Sequence, residues 1–151
     1  MAKNMDTTIT PYYQAFLGHF SGILRWHQLD ALWDVLRNEA SDQWFIYAVG
    51  EMPPQACSTY VELDVFIQEI DKLLRQEHAE DYCGVVYVDN KDKPSFIKIF
   101  DPNNLGTSCS TGTAAPLPAW VLSKMAPIDL PAAMPQTQSR KRWWKHLFAK
   151  H

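Results

Sequence analysis

Apolar residues recur at helical spacing most regularly between residues 63 and 74. Leucine, phenylalanine and isoleucine share one face of a 3.6-residue period, whereas the opposite face carries mostly charged residues and glutamine. Thr59 precedes this run and Glu62 stands three residues later, which is the spacing of a capping box. The pattern predicts a helix that begins after Thr59 and buries six residues in the core: Leu63, Phe66, Ile67, Ile70, Leu73 and Leu74.

The segment that follows Pro11 carries a second apolar stripe with the same three- and four-residue steps, which runs to Leu36. Gly18 and Gly22 each weaken a helix by up to about 1 kcal/mol relative to alanine. We therefore expect two helices, or one helix with a bend near residues 25–28. Turn-forming residues end this region before the next apolar stretch.

Three short stretches are rich in β-branched and aromatic residues and are bounded by turn signals. Residues 43–50 form the first, which a glycine and two prolines close. Residues 84–89 and 95–100 form the other two, and the polar sequence between them predicts a hairpin. In the last stretch Lys98 lies on the face opposite Ile97 and Ile99, which indicates that one face of the sheet is more exposed.

Between residues 101 and 138 glycine, serine, threonine, asparagine and proline are abundant, and Trp120 begins one short apolar anchor. The elements predict an α+β fold: a small, mainly antiparallel sheet of about three strands with helices packed on one face, in the order helix(es)–strand–helix–strand–strand. The expected organisation is a frayed N-terminus at residues 1–10, a single domain at 11–125, a proline-rich linker at 126–138 and a basic tail at 139–151.

Composition places the 151-residue chain among ordinary globular proteins, with 46% hydrophobic and 21% charged residues. No apolar run approaches the roughly 20 residues that cross a bilayer, and the N-terminus lacks the basic and apolar parts of a secretory signal. Cys57, Cys83 and Cys109 are odd in number and fit neither a disulfide framework nor a CxxC motif. We therefore expect a cytoplasmic protein with free thiols, no metal site and no cofactor.

Charge is distributed unevenly along the chain. Before Ser139, nine Lys and Arg residues stand against seventeen Asp and Glu, a net charge of −8, whereas the remaining segment carries five basic residues and no acidic one. A basic amphipathic segment of this kind binds a partner's groove or an anionic membrane surface, while the acidic body disfavours nucleic acid. The alternative is that the tail folds back on the acidic body and buries its tryptophans. The tail residues predicted to bind are Arg140, Arg142, Trp143, Trp144 and Lys145.

A second candidate site is the polar loop that follows the last predicted strand. Loops at strand ends often carry function, and this one combines hydrogen-bonding groups with glycines that permit a backbone cradle for an anion. Its sequence matches no phosphate-binding loop. The structural alternative is a turn in which Asp101 and Asn103 bond their own backbone. The loop residues predicted to bind are Asp101, Asn103, Asn104, Gly106 and Cys109.

Two histidine–cysteine arrangements are candidates for chemistry. His78 and Cys83 flank two acidic residues, and such a pair is either a nucleophile with its base or half of a metal site. Neighbouring carboxylates disfavour a thiolate there, and Cys83 equally fits a small buried hydrophobe. The other arrangement has Cys109 as nucleophile, with His78 and Asp101 as companions if the hairpin brings them together.

The sequence contains no catalytic-triad pattern, metal quartet or nucleotide-binding loop. We therefore predict a small cytoplasmic accessory or interaction protein without catalysis of its own, which binds a protein partner through residues 101–112 and the basic aromatic tail. The alternatives are a thiol-dependent enzyme or small-ligand-binding protein that uses Cys109, and a peripheral inner-membrane protein anchored by the tail. The sequence does not indicate the oligomeric state.

Overall fold

Helices cover both faces of one antiparallel sheet in the computed structural model, which describes residues 10–39, 43–78, 80–104, 117–130 and 138–148. The helices are α1 (Pro11–Phe16), α2 (Trp26–Glu39), α3 (Tyr60–Glu77) and α4 (Gln138–Leu147). The strands are β1 (Ser21–Ile23), β2 (Phe45–Ala48), β3 (Val86–Val88), β4 (Phe96–Ile99) and β5 (Trp120–Ser123). A short 3-10 turn at Pro102–Asn104 follows β4. The predicted α+β class with an antiparallel sheet is thus confirmed.

The five described strands pair in the order β1-β3-β4-β5-β2, and every neighbouring pair is antiparallel. The predicted hairpin is formed by β3 and β4, and the strand predicted at residues 43–50 is β2. Directly opposite residues on neighbouring strands share a face of the sheet. One row across the sheet therefore places five side-chain positions on the same face: Gly22, Tyr87, Lys98, Val121 and Tyr47.

α3 forms as its pattern predicts. It packs on the face of the sheet that carries Ile97 and Ile99, which we call the first face. The Thr59 hydroxyl accepts the Glu62 N–H at 3.1 Å, and the Glu62 carboxylate accepts the Thr59 N–H at 2.9 Å, so the capping box is present. All six residues of the apolar stripe are buried. α2 and α4 pack into the same core, and Ile97 and Ile99 of β4 point into it. This face carries the main hydrophobic core.

α1 and residues 127–130 cover part of the second face. Tyr12 and Phe16 of α1 form a separate buried cluster with Phe96, Tyr47 and Leu130. The Tyr12 and Phe96 ring centroids lie 5.1 Å apart. The prediction that helices pack on one face only is therefore wrong, because the first aromatic segment crosses to the opposite face of the sheet.

Two strands that the sequence pattern did not predict complete the sheet, so the predicted number of three and the predicted order are wrong. β1 lies where the helical stripe was expected to continue, and it pairs with β3. A Cβ at Gly22 would lie 3.1 Å from the Tyr87 ring, so this glycine allows Tyr87 to lie against β1. β5 lies between β4 and β2, and all four of its residues are buried. A strand buried on both faces lacks the alternation that identifies strands in a sequence.

The C-terminal region contributes to the packed structure where it is described. Pro127 and Leu130 are buried, and α4 occupies the region predicted as a basic tail. Residues 1–9 of the predicted frayed N-terminus and 131–137 of the predicted linker lie outside the described residues. The division into domain, linker and tail stays a prediction. Among the helices described, none is long and apolar enough to span a membrane.

Candidate functional site

A buried arginine joins the predicted loop to the predicted tail. The Arg140 Nε donates to Asp101 Oδ2 at 2.7 Å and its Nη2 donates to Asp101 Oδ1 at 3.1 Å, which is a bidentate pair. The same Nη2 lies 2.6 Å from Glu77 Oε1, and Nη1 lies 3.3 Å from Glu77 Oε2. The Asp101 side chain is only 4% exposed and that of Arg140 10%, whereas Glu77 keeps 33%. One guanidinium therefore bridges two carboxylates from separate elements and offsets one of their two negative charges.

Three elements position these groups. Asp101 directly follows β4, and its Oδ1 accepts the Asn103 N–H at 2.9 Å, which confirms the predicted turn at this residue. Glu77 is the last residue of α3, and the Asn103 side-chain amide donates to it. Arg140 lies in the first turn of α4. Hydrogen bonds to Asp101 raise the pKa of Arg140 and outweigh the opposite effect of burial, so the ion pair is retained.

Aromatic packing fixes the rest of α4 on the core. The Trp143 ring lies edge-on to Trp120 with centroids 5.5 Å apart, and Trp144 lies edge-on to Phe66 at 6.4 Å. Leu147 is 6% exposed and belongs to the main core. Of the two arrangements open from the sequence, the structure has the one in which the tail folds back on the body and packs its tryptophans inward.

The outer face of α4 is basic. Arg142 and Lys145 are exposed, Lys141 is half-buried, and no salt bridge reaches any of the three from the described residues. On the body, Arg37 pairs with Asp64, Arg75 with Asp30 and Asp71, and Lys124 with Glu39. Four other body cations are exposed, and no salt bridge reaches them from a described residue: Arg25, Lys72, Lys91 and Lys93. Asn103 is exposed at the 3-10 turn. The predicted loop and tail residues thus divide into an inner, bonded set and an outer set that faces solvent.

Burial disfavours a reactive thiolate in the histidine–cysteine pair. Cys83 is fully buried, and burial raises the pKa of its thiol, which disfavours the nucleophilic thiolate. His78 caps the end of α3, and its ring lies edge-on to Trp26 and Tyr82. Within the part of the chain that the structure describes, no group of three or more His, Cys, Asp or Glu residues is placed to hold a metal ion.

Only part of the predicted Cys109 site lies among the described residues. Gly106 and Cys109 lie outside the described residues, and Asn104 ends the 3-10 turn. The carboxylate of Asp101 is bonded by Arg140 rather than by His78. Sequence reasoning missed Glu77, although one signal was available: a carboxylate at a helix C-terminus opposes the helix dipole unless a cation compensates it.

Comparisons with known proteins give no relative from which a function could be assigned to this site. No protein-family model matches the chain, and neither the curated proteins nor the solved structures gave a significant match.

Proposed function

We propose that this protein is a small interaction protein, which binds an acidic segment of a protein partner on the surface formed by the 3-10 turn and the outer face of α4. We call this surface the α4 surface; it comprises Asn103, Lys141, Arg142 and Lys145. The single observation that carries the proposal is the Asp101–Arg140 pair, with Nε to Oδ2 at 2.7 Å. It joins into one surface the two segments that the sequence separates by 39 positions.

The charges support an acidic partner. Arg142 and Lys145 have no carboxylate partner among the described residues, although the chain before Ser139 carries an excess of eight negative charges. Unpaired cations on a fixed helix attract a complementary anionic surface and set its orientation. Because Arg140 and the indoles hold α4 on the body, little conformational entropy is lost when a partner binds.

The inward tryptophans favour a protein partner over a membrane. An amphipathic helix binds a bilayer by burying an apolar face among the lipids. In α4 that face already packs on the core through Trp143, Trp144 and Leu147. We further propose a cytoplasmic location, since Cys57 and Cys83 are free thiols.

The experiment reverses the charge of the α4 surface in the full chain. The variant Arg142→Glu/Lys145→Glu is compared with Lys91→Glu/Lys93→Glu, which makes the same charge change at exposed residues of the β3–β4 turn, at the opposite end of β4. Each protein is used as bait in a native lysate at low salt, and the stoichiometric partner is then titrated with purified bait. Circular dichroism checks that both variants are folded.

We expect the α4 variant to lose the partner, the control to keep it, and cross-links from the partner to reach Lys145. Binding should also weaken as salt rises, because exposed charges are screened beyond about 8 Å at physiological ionic strength. A partner that binds both variants with the same affinity as the native chain would show that the α4 surface is not its binding site.

A further inference from the structure

The second face of the sheet contains an open cavity beside α1. α1 ends at Phe16, and its apolar residues cover the part of this face formed by β2, β5 and the start of β4. The part formed by β3 and β4 remains open and contains a cavity of about 440 Å³. That volume lies within the range of small-molecule sites, roughly 300–1,000 Å³. The cavity is separate from the α4 surface, which lies with the main core on the other face.

Aromatic rings form the walls of this cavity. Phe20, which follows α1, lines the cavity together with Tyr87 and Phe100, whose ring centroids lie 5.6 Å apart. Gly22 of β1 lies against the Tyr87 ring, because a Cβ at this position would come within 3.1 Å of the ring. The walls therefore fit a flat, apolar group.

A single lysine supplies the charge. Lys98 is half-buried, lines the cavity, and points its Nζ at the rings of Phe16 and Phe20, with centroids 4.3 and 4.0 Å away. No described carboxylate forms a salt bridge with it, and no acidic residue lies among the described residues that line the cavity. Burial lowers the pKa of Lys98, whereas the two ring faces favour its ammonium form. His19 is the other ionisable nitrogen at the rim.

This ammonium differs from the salt-bridged cations of the body. Arg37, Arg75 and Lys124 are partly exposed and paired, as described above. Lys98 is half-buried and has no salt bridge from a described residue, so its ammonium is partly desolvated and a bound anion would supply the missing partner. We propose that this cavity binds a small monocarboxylate with an aromatic body: the carboxylate pairs with Lys98, and the ring lies among Phe20, Tyr87 and Phe100.

The charge of the site selects the class of anion. One lysine compensates one negative charge, and the described lining offers no second Lys or Arg for a dianion such as a phosphate monoester. The chain as a whole is also negative, which further disfavours multiply charged ligands. An aromatic monocarboxylate satisfies the lysine and the rings together.

The test titrates the full, ¹⁵N-labelled chain with 3-phenylpropionate as the probe. Amide chemical shifts report the binding. The neutral isostere 3-phenylpropionamide is titrated in parallel, so the comparison does not depend on any variant folding. Lys98→Met removes the charge and keeps the length of the side chain. Lys93→Met makes the same change at an exposed residue of the β3–β4 turn and serves as the control.

We expect 3-phenylpropionate to shift the amides of Gly22, Tyr87 and Lys98 and to bind at least about tenfold more tightly than the amide. Lys98→Met should abolish that preference, and Lys93→Met should retain it. The proposal is overturned if the two probes bind equally, if the shifts lie outside this cavity, or if no shift appears at about 10 mM probe. Equal binding by Lys98→Met and the native chain would also overturn it.

Discussion

Replacement of Arg140 by methionine tests whether the buried ion cluster holds α4 on the body. Methionine keeps most of the apolar stem of arginine but removes the guanidinium that contacts Asp101 and Glu77. Glu77 is 33% exposed and regains water, whereas Asp101 is 4% exposed and is left with the Asn103 N–H as a donor. Removal of one partner from a buried pair costs about 3–5 kcal/mol. The remaining Asn103 bond places our expectation near the lower end, about 3 kcal/mol.

The assay is urea unfolding followed by tryptophan fluorescence, since Trp143 contacts Trp120 across the α4 interface. For a chain of this length a loss of about 3 kcal/mol corresponds to a fall of roughly 6–12 °C in Tm. Arg142→Met is the matched control: it lies on the exposed side of the same helix and should stay within about 0.5 kcal/mol of the native chain.

A double-mutant cycle separates the ion pair from general damage to the helix. In an Asp101→Asn background the buried charge is already absent, so Arg140→Met should cost at least about 1.5 kcal/mol less than it does alone. If Arg140→Met lowers the free energy of unfolding by less than about 1 kcal/mol, or if the cycle shows no coupling, the reasoning from the buried pair is refuted.

Three further predictions concern the body of the protein. Thr59→Ala removes the cap of α3 and should lower the free energy of unfolding by about 1 kcal/mol in urea; an unchanged value would contradict the capping box. Burial raises the pKa of Tyr12 and Tyr47, so the unfolded chain loses these protons first and stability should fall above about pH 10; Tyr12→Phe should reduce that fall in denaturation measured across this range. Buried Cys83 should react with iodoacetamide at least about a hundredfold more slowly than exposed Cys57, and equal rates by mass spectrometry would refute its burial.

The parts of the fold that were predictable are those whose signal is local. α3 combines a capping box with an apolar stripe, and both act within a few residues of the chain. The hairpin of β3 and β4 likewise depends on two short strands and the polar turn between them. Lys98 was placed correctly on the face opposite Ile97 and Ile99, because the side chains of a strand alternate.

The two missed strands depend on contacts between distant segments. The three residues of β1 are too few to show a period, and they are extended because β3 offers hydrogen bonds and Gly22 admits the Tyr87 ring. Three consecutive apolar residues begin β5, because helices and loops cover both of its faces. β1 thus depends on pairing and β5 on burial, and both are properties of the assembled sheet.

In the candidate sites, too, some features follow from the local sequence and others from contacts between distant segments. The sequence by itself determined which residue types were available: a basic aromatic tail, a polar loop after a strand, and a lysine among alternating apolar residues. Only the tertiary structure decided which of them meet, because Arg140 lies 39 positions from Asp101 and 63 from Glu77. Local propensity acts over one or two turns of chain, whereas ion pairing and burial depend on distance in space. Tertiary packing therefore directed the tryptophans inward, and it left Arg142 and Lys145 facing solvent.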